Sequence, residues 1–432
     1  MADELPLPRF DFRPDPPSLL TMMRSGVADF PGVIPAAILE QPAVQLAGAR
    51  FGAPLVVADP DLIREVLVDR DERFTRDRML RRLFRRAWGQ GLAGAEGEAW
   101  QRQRRAAAPA FRPAAVADNG PAFVAAAAKA AREWPCGEAI ELTQRVARIV
   151  ADIVFDVLVD GGGEVDTARV AADMPDYVGR IASWTSRDLL PLPESWHDRL
   201  SGVTRDPAVM RLRGLARRLA DGRSTRHGKA DLIALLEGVG PVEDNIRGLF
   251  PAAMDTTVAG ASWTLYTLAM RPEWQERVAS EARECAGDFA AERLGLTRRV
   301  VQEALRLYPP GPFMIRSAAA DGHLGQFAIN RAQPVLLAIY AMHRHRSLWE
   351  DPDEFDPNRF LPERGSPPGW LPFGAGPRVC IAAQFALAEI AVVVARLLSE
   401  LELVPTGAKP RIDLRATTRS LTGLNVIARK RA

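Results

Sequence analysis

Residues 373–382 read Phe-Gly-Ala-Gly-Pro-Arg-Val-Cys-Ile-Ala, and an apolar run with helical spacing follows at once over 383–398. Cys380 therefore stands where a glycine-rich turn enters a helix. Glycines let backbone N–H groups turn toward the sulfur, while the helix N-terminus and Arg378 add positive potential. Such surroundings favour the thiolate, which is the form of cysteine that binds metals. The segment predicts a metal ligand on a loop that leads into a buried helix.

The cysteine loop has two alternative interpretations. An inert buried cysteine is one, and it is the preferred interpretation of Cys136 and Cys285. Gly374 and Gly376 also imitate a dinucleotide-binding fingerprint, but the third glycine is absent and no strand precedes them. The three cysteines lie far apart without C-x-x-C spacing, which argues against a disulfide framework and a four-cysteine zinc or iron–sulfur site. A reducing cytoplasm is the expected compartment.

The composition excludes several classes of protein. A chain of 432 residues with 47% hydrophobic content is long enough to bury a large core. Lys and Arg number 56 against 54 Asp and Glu, so net charge gives no argument for nucleic acid or an anionic membrane. Residues 1–17 are acidic and proline-rich, which predicts neither a secretory signal nor a membrane anchor.

The pattern of apolar residues predicts a mainly helical protein with a small β region. A strand is expected at Leu55–Ala58, followed by a helix that Asp59 caps. Short apolar runs such as Val335–Tyr340 and a long loop at Trp349–Arg378 characterise the last third, and a loop of that length is usually functional. The clearest expected helices are Trp100–Ala108, Val146–Val159, Met210–Ala220, Asp244–Met270 and Trp274–Glu284.

Segment 373–382 resembles the haem-binding signature of the cytochrome P-450 family, F-x-x-G-x-R-x-C-x-G, with Ala382 at the last glycine. The resemblance implies that Cys380 is the ligand of the iron of haem b, and that Phe373 and Gly376 belong to the haem-binding loop. A soft, anionic sulfur on haem iron donates electron density and favours cleavage of the O–O bond.

A second pair of motifs occurs in the order typical of the family. Glu303 and Arg306 lie three apart on one helical face, where an ion pair can form. They resemble the family's E-x-x-R helix, and Arg359 within Phe355–Phe360 resembles its P-x-R-F partner. The resemblance implies a buried ion triad of Glu303, Arg306 and Arg359, whose role is to fix the loop that carries Cys380.

Further donors suit the carboxylates of haem. Trp100 and Arg104, spaced i, i+4, resemble the family's W-x-x-x-R, which contacts a haem propionate. Arg316 and Arg378 fall at two further propionate-binding positions. Four donors for two carboxylates is chemically sensible, although a solvated basic helix is the alternative for the first two.

The long apolar helix contains Ala-Ala-Met-Asp-Thr-Thr at 252–257, where an acid and hydroxyls are costly to bury without a purpose. The stretch resembles the family's [AG]-G-x-[DE]-T, which implies that Asp255 and Thr256 are an acid–alcohol pair relaying protons during oxygen activation. Ala253 replaces the usual glycine, and its methyl group puts normal proton delivery in doubt. The alternative is that Thr256 only bonds back to its own helix.

The resemblance also implies a substrate cavity with mostly apolar walls, which suits a lipophilic substrate such as a terpenoid, fatty acyl, steroid or aromatic compound. For each residue singly, a place in the core is the alternative. The predicted pocket residues are Phe84, Ala252, Ala253, Phe313, Met314 and Leu424.

Electrons are expected from a separate donor, a ferredoxin with an NAD(P)H-dependent reductase, as in soluble bacterial members of the family. A local basic cluster is a candidate docking patch for such an acidic donor, although a solvated arginine face is the default interpretation. The cluster consists of Arg81, Arg82, Arg85 and Arg86 with Arg102 and Arg105.

The sequence therefore predicts a single cytochrome P-450 haem domain over 1–432. Its parts are an N-terminal arm and first helix (1–50), a small sheet and substrate-side loop (51–97), a helical core (98–300), and the haem-ligand loop, last helix and C-terminal sheet (301–432). The expected activity is a cytoplasmic monooxygenase that hydroxylates or epoxidises its substrate with O2 and two supplied electrons. A peroxide-driven peroxygenase and a non-catalytic haem sensor are the alternatives.

Overall fold

The computed structural model describes residues 6–15, 30–46, 53–68, 72–158, 165–182, 205–223 and 232–431. Within these ranges the chain is mainly helical with small sheets, which confirms the predicted fold class. Residues 1–5, 16–29 and 47–50 of the predicted N-terminal arm and first helix (1–50) lie outside the described residues.

The helices carry most of the described chain, and none of them combines the length and apolar composition needed to cross a membrane. In chain order they are α1 (Pro60–Val68), α2 (Arg78–Trp88), α3 (Gly97–Ala107), α4 (Pro113–Asp118), α5 (Gly120–Glu133), α6 (Leu142–Leu158), α7 (Thr167–Ala182), α8 (Pro207–Arg223), α9 (Leu232–Leu236), α10 (Val242–Met270), α11 (Pro272–Glu284), α12 (Gly295–Leu307), α13 (Ile339–Met342) and α14 (Ala383–Leu398).

The strands are short and form separate small sheets. They are β1 (Ala43–Gln45), β2 (Leu55–Val57), β3 (Phe74–Arg76), β4 (Ala139–Glu141), β5 (Met314–Ala318), β6 (Gly322–Leu324), β7 (Phe327–Ile329), β8 (Pro334–Leu337), β9 (Leu401–Pro405), β10 (Ile412–Asp413), β11 (Arg419–Ser420) and β12 (Asn425–Lys430). The largest sheet has the order β1-β2-β8-β5-β3, in which β2 and β8 are parallel and the other neighbours antiparallel. The other sheets are β4-β12-β9, β6-β7 and β10-β11.

The expected elements are present with small shifts of their ends. β2 lies where a strand was predicted, and Asp59 Oδ1 accepts hydrogen bonds from the N–H groups of Asp61 and Leu62, which caps α1. The part predicted as a substrate-side loop contains a true helix, α2, whose N-terminus Asp77 caps in the same way. Because α2 is rich in arginine, its hydrophobicity pattern does not show the helical spacing of its apolar residues.

The centre of the protein is the packing of α10 against α12 and α14. Residues 257–269 of α10 are all buried. A Cβ atom at Gly260 would lie 2.9 Å from Cδ1 of Ile390 in α14 and 3.2 Å from Cδ2 of Leu305 in α12, so glycine allows the side chains of both helices to approach α10 closely. Since Cys380 lies just before α14, this packing places the cysteine loop beside the helical core.

Candidate active site

The cysteine loop is a tight turn that closes on itself before α14 begins. The N–H group of Cys380 donates to the carbonyl of Phe373 at 2.9 Å. Gly374 and Gly376 both have φ of +72°, a backbone conformation that side chains other than glycine adopt at a cost. The glycines therefore set the path of the loop, as the sequence suggests.

Gly376 also lies against the backbone of α1, and this contact gives a testable prediction. A Cβ atom at Gly376 would lie 2.0 Å from the carbonyl oxygen of Leu67. We expect Gly376→Ala to lower the free energy of unfolding by more than about 2 kcal/mol, because the positive φ and the overlap with backbone both act.

The matched control is Gly365→Ala, measured in the same urea unfolding experiment. Gly365 has φ of +69°, but a Cβ atom there would meet no described atom within 4 Å. Its loss should be clearly smaller than that of Gly376→Ala, because only the backbone conformation acts there, at a cost of about 1–3 kcal/mol. Equal losses in the two variants would contradict the proposed contact.

The thiol of Cys380 is accessible to solvent, yet surrounding protein atoms desolvate it enough to raise its pKa. The N–H group of Ala382 and the charge of Arg104 act in the opposite direction. Arg378 pairs with Glu96 at 3.0 Å, and the cation that acts on the thiol is Arg104, whereas the sequence assigns that effect to Arg378. A metal ion deprotonates a thiol that coordinates it, so the raised pKa remains compatible with ligation.

A cluster of arginines lies next to the cysteine loop. Arg76 of β3 and Arg316 of β5 are directly opposite in antiparallel register, which is unfavourable for two like charges. Burial and the charges of Arg76, Arg316 and Arg104 together lower the pKa of Arg378 to about 10, although Glu96 opposes them. Glu96 contacts both Arg76 and Arg378 at 3.0 Å. Glu96 thus contacts two of these guanidinium groups and acts on that of Arg316, which leaves a surplus of positive charge among them.

The donors of this cluster fit the two propionates of haem. Nη1 of Arg378 is buried without a hydrogen-bond partner in the described part of the chain. The ring centroid of Trp100 lies 4.2 Å from the guanidinium carbon of Arg378 and 5.8 Å from that of Arg104. An unpaired buried donor beside surplus positive charge favours the binding of an anion, and the carboxylates of haem are anions of this kind. Neither Arg76 nor Glu96 is predicted from the sequence, because the position of Arg76 depends on the pairing of β3 with β5 and that of Glu96 on its ion pairs with Arg76 and Arg378.

The middle of α10 presents a short accessible face within an otherwise buried helix. Ala252 and Thr256 are exposed one turn apart, while residues 257–269 are buried. The hydroxyl of Thr256 donates to the carbonyl of Ala252 at 2.7 Å, which is the local bond that the alternative interpretation foresaw. A hydroxyl held in this way still offers its oxygen as an acceptor.

Asp255 points into protein and has a partner that the sequence analysis did not identify. Nη2 of Arg419 in β11 lies 2.6 Å from Oδ1 of Asp255. Burial raises the pKa of Asp255, while Arg419 and the hydroxyl of Thr417 oppose that rise. No local signal connects the pair, because 164 positions separate them along the chain.

Glu303, Arg306 and Arg359 come together in the interior. Arg306 donates from Nε and Nη2 to the two carboxylate oxygens of Glu303, both at 2.7 Å, and neither side chain is exposed. Nε of Arg359 lies 3.4 Å from Glu303 Oε1, which also accepts from the N–H group of Asp356 at 2.9 Å. The carboxylate of Glu303 is therefore surrounded by donors.

His343 connects this ion cluster to the cysteine loop. Its Nδ1 lies 3.0 Å from the carbonyl of Arg306, and its Nε2 accepts the N–H group of Leu371 at 3.0 Å. Burial and the charge of Arg306 together lower the pKa of His343 to about 3. The imidazole is therefore neutral, with its proton on Nδ1, and ties α12 to the chain two residues before Phe373.

The predicted pocket residues have different surroundings. Cε of Met314 lies 3.1 Å from where a Cβ atom at Gly374 would be, so this side chain reaches the cysteine loop. Leu424 is buried in the core, and its N–H group donates to Glu141. The remaining four are half-buried or exposed, namely Phe84, Ala252, Ala253 and Phe313.

The predicted basic cluster is divided between two helices, α2 and α3. Arg81 and Arg85 are exposed on α2, and Arg102 on α3 lies 3.8 Å from Glu98 of the same helix. Nε of Arg105 lies 3.4 Å from the carbonyl of Gln101, one turn earlier. These contacts suit a solvated helix face, and docking of an electron donor stays a prediction.

Comparison with known proteins identifies the family. The family model of cytochrome P-450 matches residues 53–206 and 242–424, which is most of the chain. Cytokinin hydroxylase of Arabidopsis thaliana is 30% identical over 340 residues, which are 72% of this chain and 66% of that protein. Protein LUTEIN DEFICIENT 5, chloroplastic, of the same plant is 27% identical over 421 residues, 87% of this chain and 70% of that protein.

A third relative, Cytochrome P-450 734A5 of Oryza sativa subsp. japonica, is 29% identical over 391 residues, 81% of this chain and 72% of that protein. The matches thus span about two thirds of the length of these relatives. All three are plant proteins and give no support to the narrower prediction of a soluble bacterial type. The matched residues include the cysteine loop, the arginine cluster and the middle of α10. The chain belongs to the cytochrome P-450 family, whose members are haem-thiolate monooxygenases with haem b as their cofactor.

Proposed function

We propose that this protein inserts one oxygen atom from dioxygen into a C–H or C=C bond of a lipophilic small molecule. The observation that carries the proposal is the accessible face of α10, where Thr256 is exposed and Asp255 is ion-paired beside it. A protein that only binds haem has no need for an acid and an alcohol in the middle of its longest buried helix.

Haem bound to Cys380 would supply the oxidising chemistry, and the chain would supply position and protons. We assign the propionates to Trp100, Arg104, Arg316 and Arg378, with Arg76 as an additional cation. Cys380 would be held rigidly by its loop. The ion triad of Glu303, Arg306 and Arg359 fixes the chain before the loop, and His343 fixes it at Leu371. These residues therefore position the ligand and do not react.

Proton delivery is the task that we assign to Asp255 and Thr256. Insertion of one oxygen atom of dioxygen into the substrate, with reduction of the other atom to water, consumes two protons and two electrons, and these protons must come from solvent. The carboxylate of Asp255 would take them up and Thr256, next in the chain and accessible, would pass them on. The added methyl group of Ala253 lies on the same half-buried side and would narrow the space available for water.

Substrate and electron donor are the finer parts of the proposal. Half-buried apolar residues such as Phe313 and Met314 support a lipophilic substrate of the terpenoid, fatty acyl, steroid or aromatic class. One relative is named a hydroxylase, which supports hydroxylation over epoxidation. We propose a ferredoxin with an NAD(P)H-dependent reductase as the donor, and a cytoplasmic location in keeping with three free cysteines.

The decisive experiment supplies the haem-loaded protein with isotopically labelled dioxygen, NADPH, a ferredoxin, its reductase and a set of lipophilic compounds. The proposal requires a product that carries one labelled oxygen atom. Product formed only with hydrogen peroxide would indicate a peroxygenase instead. Compounds that perturb the haem spectrum without ever being converted would indicate a binding protein, and either result would overturn the proposal.

A further inference from the structure

The ion pair between Asp255 and Arg419 links the middle of α10 to the hairpin of β10 and β11. Arg419 is held at two points, since Nη2 contacts Asp255 Oδ1 at 2.6 Å and Nε donates to the hydroxyl of Thr417 at 2.7 Å. We propose that Arg419 is a positioning residue, which fixes the carboxyl group of Asp255 and keeps it ionised for proton delivery. This inference rests on the proposed function.

The hairpin itself is fastened to the core one residue before Arg419. The hydroxyl of Thr418 donates to the carbonyl of Pro309 at 2.5 Å, and the carbonyl of Thr418 accepts from the indole of Trp263 at 2.9 Å. Trp263 belongs to α10, and Pro309 follows α12. The backbone beside Arg419 is thus fixed relative to the helix that carries Asp255, so the guanidinium is placed by the fold and not by chance contact of a long side chain.

The electrostatic need for Arg419 follows from the burial of Asp255. Only 14% of the side chain of Asp255 and 27% of that of Arg419 are exposed, so water screens the pair incompletely. Desolvation raises the pKa of Asp255, and Arg419 of β11 is the cation that opposes it in the described part of the chain, helped by the hydroxyl of Thr417. Without Arg419 the carboxyl group would stay protonated to higher pH and would lose its fixed direction.

Loss of Arg419 should therefore change how much of the reduced dioxygen ends in product and how much in hydrogen peroxide. It should have less effect on substrate binding. Coupled turnover converts one O2, two electrons, two protons and RH into ROH and water. When proton delivery is slow, the same two electrons and two protons leave as hydrogen peroxide, and RH is unchanged. The ratio of product to hydrogen peroxide per NADPH consumed reports on this choice.

The test compares three variants of the haem-loaded protein in the reconstituted assay. Arg419→Gln removes the charge, and we expect product per NADPH to fall at least about tenfold, a part of the effect of a complete acid or base. Arg419→Lys keeps the charge and should recover coupling to within about threefold of the wild type. Arg415→Gln is the matched control, because Arg415 lies in the same hairpin and pairs with Asp413 at 2.9 Å, while its side chain is 51% exposed. It should change coupling less than about twofold.

The dependence of coupled turnover on pH distinguishes the proposed role of Arg419 from a purely structural one, which would leave that dependence unchanged. Since the ionised carboxylate takes up the proton, coupled turnover should fall toward acid as Asp255 becomes protonated. Removal of the Arg419 charge raises the pKa of Asp255, so this acid limb should move to higher pH in Arg419→Gln and return in Arg419→Lys. An unmoved limb in Arg419→Gln would overturn the inference.

A double-mutant cycle tests the pair without any turnover. The urea midpoint is measured for the wild type, Asp255→Asn, Arg419→Gln and the double variant. If the two side chains interact, the second substitution shifts the midpoint clearly less in the presence of the first, and additive shifts would overturn the pairing. If the wild type yields no product in the turnover assay, the proposed function is refuted. The double-mutant cycle would still show whether Asp255 and Arg419 interact. If Arg419→Gln does not fold, Thr417→Val takes its place, because it removes the hydroxyl that accepts from Nε of Arg419. Thr417→Val should also lower product per NADPH consumed. An unchanged ratio in that variant would overturn the inference.

Discussion

Asp255→Asn is expected to lower product formed per NADPH by about 100-fold or more, the lower end of what a positioned acid or base contributes. Asparagine keeps the size of the side chain and can still accept a bond from Arg419, but it cannot carry a proton at neutral pH. NADPH should continue to be consumed, with hydrogen peroxide in place of product. Substrate affinity should change little, because the effect is on proton delivery.

A carboxylate elsewhere in the same helix provides the control for this variant. Glu243 lies in the first turn of α10, 3.6 Å from Arg217, and is not part of the accessible face around Thr256. Glu243→Gln should leave the ratio of product to peroxide within about twofold of the wild type. If Asp255→Asn keeps the coupling of the wild type, the assignment of Asp255 as the proton relay is wrong.

Glu303→Gln is expected to lower the free energy of unfolding by about 3–5 kcal/mol, as found when one partner of a buried pair is removed. The substitution leaves the guanidinium of Arg306 charged and fully buried. Three backbone carbonyls, those of His343, Pro352 and Glu354, also accept from Arg306 and would keep it in place. Because Arg306 cannot move toward water, hydration does not replace its lost attraction to the carboxylate of Glu303. Loss of haem on gel filtration should accompany the loss of stability.

The exposed pair of Glu98 and Arg102 in α3 is the control for the buried one. Its atoms are 3.8 Å apart, and the Glu98 side chain is 91% exposed. Glu98→Gln should change the free energy of unfolding by less than about 0.5 kcal/mol in the same urea titration. Similar losses of the free energy of unfolding in Glu303→Gln and Glu98→Gln would contradict the claim that burial makes the ion triad important for stability.

Local sequence predicts the elements of this fold wherever periodicity and end signals agree. Pro272 and Glu284 bound α11 close to the predicted helix, and α14 begins and ends as expected because apolar residues dominate it. The alanine-rich α5 lies within the predicted helical core, but its bounds are not predicted, since alanine occupies both its buried and its exposed positions and leaves little contrast between the faces.

The candidate site is predictable only as far as its motifs are local. The positions of Glu303 and Arg306 follow from helical spacing, whereas the contact of Arg419 with Asp255 depends on how a short hairpin packs on α10. The surplus charge near Arg378 likewise depends on the pairing of Arg76 with Arg316 across two strands.

The thiol of Cys380 shows a further limit of local reasoning. Neighbouring charges can be read from the sequence, but desolvation depends on atoms from the whole fold, and here it raises the pKa of the thiol. The cation that acts on the sulfur is Arg104 of α3, which donates to the carbonyl of Val379 at 2.8 Å. Its distance from Cys380 in the chain conceals this contact.

Ligation of haem iron by Cys380 is the central claim, and the carbon monoxide difference spectrum of the dithionite-reduced protein tests it most directly, alongside Cys380→Ser. A thiolate ligand predicts a strongly red-shifted Soret band in the wild type that is lost in the variant. A band typical of a histidine ligand in the wild type, or a red-shifted band that survives in Cys380→Ser, would contradict it.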